Sequence, residues 1–151
     1  MKTVDTRAYV SMLRDLVREG KEVSMLITGS SMSPFLLSHK DKICFRAPNR
    51  PLKRGDMVFY ERESGQFVMH RICKVKPDGF YIVGDAQSEI EGPVREEQIF
   101  AIVTKAHRRG KWVEPGDFWW EFYEHVWIRM IPLRKIIFKG YRILTNSKEK
   151  R

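Results

Sequence analysis

The sequence predicts a mainly β domain with a short helix before it and a long amphipathic helix after it. Three observations predict this class: helical apolar spacing near the N-terminus, six short β-rich runs between turn residues, and an apolar stripe at three- and four-residue steps near the C-terminus. The expected boundaries are residues 1–22, 23–114 and 115–151. At 151 residues the chain is long enough to bury a substantial core within one domain.

The N-terminal helix is predicted from Thr6 to Glu19, with Gly20 as its stop signal. Its apolar positions are Tyr9, Met12, Leu13, Leu16 and Val17. Charged residues interrupt this segment every few positions, which is not the pattern of a signal peptide or of a membrane span. We therefore expect no export signal, and this expectation favours a cytoplasmic location.

Six runs of strand composition follow the helix, and turn residues separate them. They are VSMLIT (23–28), KICFRA (42–47), DMVFYE (56–61), FVMHRICKV (67–75), FYIVGD (80–85) and IFAIVTKA (99–106). Short strands at regular spacing predict a compact, mostly antiparallel β domain.

The chain is strongly basic, with a formal net charge of +9. From Lys105 to Arg151 there are 12 Lys and Arg against five Asp and Glu, so most of the excess lies near the C-terminus. A basic end suits nucleic acid, an anionic membrane surface or an acidic partner, and charge alone does not choose among them. Cys44 and Cys73 form no CxxC pair, so we expect buried free thiols and neither metal nor cofactor.

The C-terminal helix is predicted from a stripe of apolar residues, and Pro132 is expected to kink or divide it. The stripe comprises Trp120, Tyr123, Trp127, Met130, Leu133, Ile137, Tyr141 and Leu144. Such a stripe usually packs on its own domain. Tryptophans with a basic flank also suit a helix that lies in an anionic membrane surface, here at the inner face of the membrane. Both interpretations stay open at this point.

The run ITGSSMSPFL (27–36) places two adjacent serines in a turn. Gly29 permits backbone angles closed to other residues, and Pro34 restricts the residue before it, so the serines are held at a defined bend. An ordinary turn has the same composition. A serine hydroxyl becomes a good nucleophile only when a nearby base takes its proton.

His70 is the best candidate for that base. Strand alternation places it with Val68, Ile72 and Lys74 on one face, among mostly apolar neighbours. A lone histidine in a strand is more often structural, and Lys74 is a local rival for the role. The other three histidines are expected at the surface; they are His39, His107 and His125.

Four pieces of the sequence, in order, resemble the signal peptidase superfamily of serine endopeptidases, which includes the LexA-type self-cleaving repressors. The pieces are SMSP (31–34), RGDMVFY (54–60), MHRI (69–72) and VGDA (83–86), and GPVREEQIFAIV (92–103) is similar to the closing strand. The resemblance covers roughly residues 27–103. It implies a LexA-like or signal-peptidase-like β domain. Histidine at the base position resembles the archaeal and endoplasmic-reticulum subtype rather than the lysine type.

The resemblance implies roles for three residues. Ser31 attacks the scissile carbonyl, His70 is the base, and a carboxylate orients the histidine, for which Asp85 is the first candidate. Glu89 and Glu91, in the loop that follows, are the alternatives. Arg71 keeps its proton and cannot replace the histidine.

The neighbouring positions also have expected roles. The Ser31 N–H is the natural donor to an oxyanion, and Ser30 is the only hydroxyl placed to assist it. Asp56 is expected to support the turn before its strand. Phe35 stands where the family usually has a small residue, which affects substrate preference.

These features are consistent with three functions. The first is a serine endopeptidase that cleaves signal or leader peptides bound as an extended strand. The second is a LexA-like regulator that cuts itself and binds DNA, although one helix before Ser31 is too little for a helix-turn-helix and makes nucleic acid an unlikely partner. The third is a non-catalytic scaffold of the same fold. For the enzyme, activity should rise with pH around roughly 6.5 unless burial shifts the histidine.

Overall fold

The computed structural model describes residues 6–149 and confirms a mainly β protein with a helix at each end of the sheet sequence. The helices are α1 (Thr6–Arg18), α2 (Phe118–Glu121) and α3 (Ile131–Glu149). The strands are β1 (Val23–Leu26), β2 (Lys42–Arg46), β3 (Met57–Glu61), β4 (Phe67–Lys76), β5 (Gly79–Val83), β6 (Glu91–Val94), β7 (Ile99–Arg108) and β8 (Lys111–Val113). A 3₁₀ turn, Glu96–Gln98, leads into β7.

The eight strands form one antiparallel sheet. Its order is β1-β2-β7-β3-β4-β5-β6, and β8 pairs with β7 outside this path. Each of the six predicted runs overlaps a strand. The strands β6 and β8 were not predicted, because they are only four and three residues long and β6 contains Gly92 and Pro93, which favour turns.

The sheet has a hydrophobic cluster on each side of its central strands. The larger cluster lies under α1, whose Val10, Leu13 and Val17 are buried against residues of β2, β3 and β7. The smaller cluster lies on the opposite face of β3, β4 and β5. Its buried members are Val58, Tyr60, Val68, Ile72, Ile82, Val94 and Ile99. Cys44 and Cys73 are buried free thiols, as expected.

The C-terminal stripe divides into a buried half and an exposed half. Trp120, Tyr123 and Trp127 are buried in the larger cluster, so this part of the segment is core. The turns between α2 and α3 are a π-helix over Phe122–Val126 and a 3₁₀ helix over Trp127–Met130, and Pro132 lies in the first turn of α3. The helix is therefore divided just before Pro132. Among the helices in the described part of the chain, none has the length and apolar character needed to cross a bilayer.

Trp127 gives a direct test that the C-terminal segment belongs to the core. Replacing it by Ala should lower the free energy of unfolding by about 3–5 kcal/mol, because a large buried side chain leaves a cavity. Leu144→Ala, at an exposed position of α3, should change it by less than about 0.5 kcal/mol. Urea unfolding of both variants measures the difference. Equal stabilities would show that this segment is not part of the cooperative core.

Candidate active site

The turn that carries Ser31 follows directly from β1. Gly29 has φ +83°, a conformation that side-chain-bearing residues rarely adopt, so the expected role of this glycine is confirmed. Its N–H donates to the Ser38 hydroxyl, and the Ser33 N–H donates to the Ser30 carbonyl. The backbone is therefore bent sharply around Ser31, whose side chain is partly buried.

Phe35 anchors the far end of this turn in the larger cluster. Its ring is fully buried and lies 4.7 Å from the ring of Tyr123. The guanidinium groups of Arg71 and Arg108 lie 5.3 and 5.0 Å from the ring centroid, and Arg108 Nε donates to the Phe35 carbonyl. The phenylalanine at this position is therefore a core residue that fixes the turn.

Gly84 brings the serine turn against the strand that carries His70. In the β4–β5 register Arg71 pairs with Val83, and one further step places His70 beside Gly84. A Cβ atom built on Gly84 would lie 2.6 Å from the Ser31 carbonyl oxygen, so only glycine allows this approach. The Ala86 N–H donates to the same oxygen at 2.9 Å. The Ser31 backbone consequently lies against Gly84, the residue that the register places beside His70.

Ser31 and His70 line one pocket of about 310 Å³. We call it the Ser31 pocket; its wall includes Thr28, Gly29, Ser31, Arg62, His70 and Gln87. Within the described residues, the Ser31 hydroxyl and the His70 ring have no hydrogen-bond partner, and the Ser31 N–H also has none. Ser31, whose hydroxyl and backbone N–H are unpaired among the described residues, and His70 therefore border the same pocket.

The His70 side chain points to the face of the smaller hydrophobic cluster. It pairs with Val58 across the β3–β4 ladder, and residues paired in this way project to the same face. Burial is the main cause that lowers the pKa of His70 to about 4, and the positive charge of Arg62 lowers it further. Glu91 and Asp85 oppose this shift more weakly. At neutral pH the imidazole is uncharged and able to accept a proton.

Asp85 faces Arg71 rather than the histidine ring. Its two carboxylate oxygens accept hydrogen bonds from Arg71 Nε and Nη2, both at 2.9 Å, and the two side chains are almost fully buried. The third Arg71 contact is a donation to the Gly55 carbonyl. The candidate orienting carboxylate is therefore engaged in a buried ion pair on the other face of β4.

Glu91 is the carboxylate that shares a cavity with His70. A second pocket, which we call the Glu91 pocket, is lined by both residues together with Arg62 and by Glu89, which is exposed. Arg62 donates from Nε and Nη2 to the Glu91 carboxylate, the shortest contact being 2.6 Å. Burial opposes ionisation of Glu91, but these hydrogen bonds outweigh it, so its pKa lies below the ordinary value. Neither Asp85 nor Glu91 hydrogen-bonds the imidazole within the described chain.

Lys74 was predicted on the face of His70, and this is wrong. A register shift between Ile72 and Lys74 pairs them with Ile82 and Tyr81, two successive residues that point to opposite faces.

The turn role of Asp56 is confirmed, since its carboxylate accepts hydrogen bonds from the Lys53 N–H and from the Arg50 guanidinium.

The C-terminal segment holds the loop behind Ser31, a contact that the sequence patterns did not predict. Trp127 Nε1 donates to the Asp85 carbonyl at 2.9 Å. Arg134, which is fully buried, donates from Nη1 to the carbonyls of Gly84 and Gln87. The loop backbone therefore has its carbonyls bound from one side, while the Ala86 N–H binds Ser31 on the other.

One group of side chains away from the pocket has the geometry of metal ligands. The ligand atoms of Glu121, Glu124 and His125 lie within 4.8 Å of one another. The ammonium group of Lys53 already contacts the Glu124 carboxylate. The group is accounted for as an ion-pair network beside α2.

Comparison with family models, with curated proteins and with solved structures found no match for this chain. The likeness to signal peptidases therefore depends on the four sequence motifs. What the structure adds is part of their arrangement: Gly55 and Asp85, from two of the motifs, bind Arg71 of a third, and Phe35, which directly follows SMSP, lies against the same guanidinium.

The low pKa of His70 predicts a pH dependence of stability. The unfolded chain binds a proton at this residue near pH 6.5, whereas the folded protein does so only near pH 4. Stability should therefore fall as the pH drops from about 6.5 to 4, by about 3 kcal/mol from this residue. His70→Gln should remove that part of the slope, and His125→Gln, which retains His70, should keep it. Urea unfolding across this pH range measures the free energy of unfolding of both variants. An identical dependence of this free energy on pH in the two variants would contradict the prediction.

The Arg71 and Asp85 pair predicts a large loss of stability when one charge is removed. Asp85→Asn leaves a buried guanidinium without its counter-ion, so the free energy of unfolding should fall by about 3–5 kcal/mol. The control is Glu63→Gln, which removes an exposed partner of Arg95 and should cost less than about 1 kcal/mol. Denaturant titrations of both variants give the comparison. Similar stabilities would show that the buried pair does not hold the loop.

Proposed function

We propose that the protein is a serine endopeptidase that cleaves signal or leader peptides, with Ser31 as nucleophile and His70 as base. The observation that carries the proposal is the convergence of Ser31 and His70 on one pocket through the close approach at Gly84. An uncharged imidazole beside a serine is the arrangement that activates a hydroxyl for attack on a carbonyl. The order of the four sequence motifs supports the same reaction.

The proposed reaction uses groups that line the Ser31 pocket. As the Ser31 oxygen bonds to the substrate carbonyl carbon, His70 takes the hydroxyl proton, and the free Ser31 N–H donates to the developing oxyanion. His70 then passes the proton to the leaving amine as the peptide bond breaks. Water hydrolyses the resulting ester, with His70 as base again, and the serine hydroxyl is restored.

The edge of β1 offers a place for an extended substrate. This strand ends the sheet order, so one of its edges is not paired with another strand of the described chain. Met25, Ile27 and Thr28 continue from that edge into the wall of the Ser31 pocket. A peptide added as a further strand along β1 would lead its scissile bond toward Ser31.

The orienting carboxylate is assigned differently from the first expectation. Both oxygens of Asp85 are bound by Arg71, so we propose that Asp85 holds the loop in position. We propose that the Arg62 and Glu91 pair, which borders the same cavity as His70, sets the electrostatic environment of the imidazole.

A non-catalytic binding module of the same fold is the second candidate. The observation that favours it is that the Ser31 hydroxyl has no hydrogen bond to the buried His70 ring within the described chain. A LexA-like regulator is not supported by any contact of the described residues.

Peptide cleavage with matched variants tests the proposed activity. Leader peptides with small residues at the cleavage site should be cut by the wild type, and both Ser31→Ala and His70→Gln should lower kcat/KM by about 10⁴-fold or more. Ser33→Ala, two residues away in the same turn, is the control and should remain active. The activity should stay high from pH 8 down to about 5.5 and fall toward pH 4, because protonation of His70 removes the base.

Two outcomes would count against the enzyme. Cleavage that survives unchanged in Ser31→Ala comes from another site or a contaminant. If the wild type cuts none of these peptides, and the wild type and the Ser31→Ala variant bind them with equal affinity, the binding module is the better description.

A further inference from the structure

The outer side of α3 carries an apolar surface that is exposed in the described structure. Leu133, Ile136, Ile137, Tyr141, Ile143 and Leu144 are between 37% and 69% exposed. Isolated exposed apolar residues are ordinary, but six on one helix form a continuous patch, and such patches mark interaction sites.

Helical geometry places these six residues in one sector. At 100° per residue they fall within an arc of about 160°. Residues that face the protein occupy a separate sector, since Ile131 and Phe138 pack against buried residues and Arg134 binds the loop behind Ser31. The helix therefore uses one side for its own domain and offers another to a partner.

A basic sector completes the circumference of α3. Lys135, Lys139 and Arg142 lie between the protein-facing sector and the edge of the apolar arc. The only acidic residue of α3 is Glu149, at its end, and the chain as a whole has a net charge of +9. An apolar face bordered by cations on a positively charged protein complements a partner that is apolar within and anionic at its surface.

We propose that α3 docks on an anionic membrane surface, with its apolar sector among the acyl chains and its lysines at the level of the phosphate groups. Amphipathic helices with an apolar face and a basic flank bind membranes in this way, through buried apolar area together with attraction to anionic lipids. A second copy of this chain would bring one basic sector close to another, so charge favours the membrane.

The location of α3 has a consequence for the candidate active site. Ala86 and Gln87 line the groove beside α3, together with Lys135 and Lys139, and Gln87 also lines the Ser31 pocket. A docked helix would hold that pocket close to the lipid surface. The membrane proposal does not depend on catalysis and is tested without it.

Co-sedimentation with lipid vesicles tests the docking surface. The wild type should sediment with vesicles containing phosphatidylglycerol at low ionic strength, and much less with phosphatidylcholine alone or in high salt. Ile136→Asp combined with Ile143→Asp should lower the partition coefficient by about tenfold or more. The matched control combines Met12→Asp with Val75→Asp, which adds the same two charges at exposed apolar positions elsewhere and should bind within about threefold of the wild type.

Each contrary result would overturn the proposal. Wild-type protein that stays in solution with anionic vesicles at low salt would do so, as would equal loss of binding in the α3 variant and the control. Equal binding to neutral vesicles would remove the role of the lysines. Sedimentation equilibrium tests self-association. If the wild type is a dimer that does not bind vesicles, and the α3 variant is a monomer, the apolar face binds a second copy of the chain instead.

Discussion

The buried ion pair between Arg71 and Asp85 is the interaction on which the site depends. Arg71 binds both oxygens of Asp85, donates to the Gly55 carbonyl and lies over the ring of Phe35. These contacts join the serine turn, the start of β3, the strand β4 and the loop after β5. Two buried charges are costly unless each is fully paired, so the pair restricts how these four segments can be arranged.

His70 is the chain neighbour of Arg71 and projects to the opposite face of β4. Strand alternation alone produces this division: Arg71 packs against Phe35 on the face of the larger cluster, and the imidazole lies on the face of the smaller cluster. The two faces also separate the carboxylates: Asp85 neutralises the buried arginine, whereas Glu91 and Arg62 lie near the histidine. Burial keeps the imidazole uncharged at neutral pH, and this form is the one that a general base requires.

The C-terminal segment combines two roles that the sequence could not separate. Its first half supplies aromatic core residues, and Trp127 and Arg134 bind the carbonyls of the loop behind Ser31. Its second half, α3, turns an apolar face outward. Pro132 marks the division, because a proline in the first turn of a helix is tolerated while the turns before it must rearrange. Packing on the domain and an exposed amphipathic face are therefore both present, in different parts of one segment.

The sequence by itself determined the elements whose signals are local: the N-terminal helix, the six longer strands, the bend at Gly29 and the division at Pro132. Alternation also placed His70 among apolar neighbours, but it misplaced Lys74, because a bulge is a property of two paired strands and leaves no mark in one of them. Only the tertiary structure decided that Asp85 pairs with Arg71, that Glu91 borders the histidine cavity and that Arg134 binds the loop. These contacts join residues that are 14 to 50 positions apart in the sequence. The register of the sheet and the competition among buried charges select the partners, and a local sequence pattern contains neither kind of information.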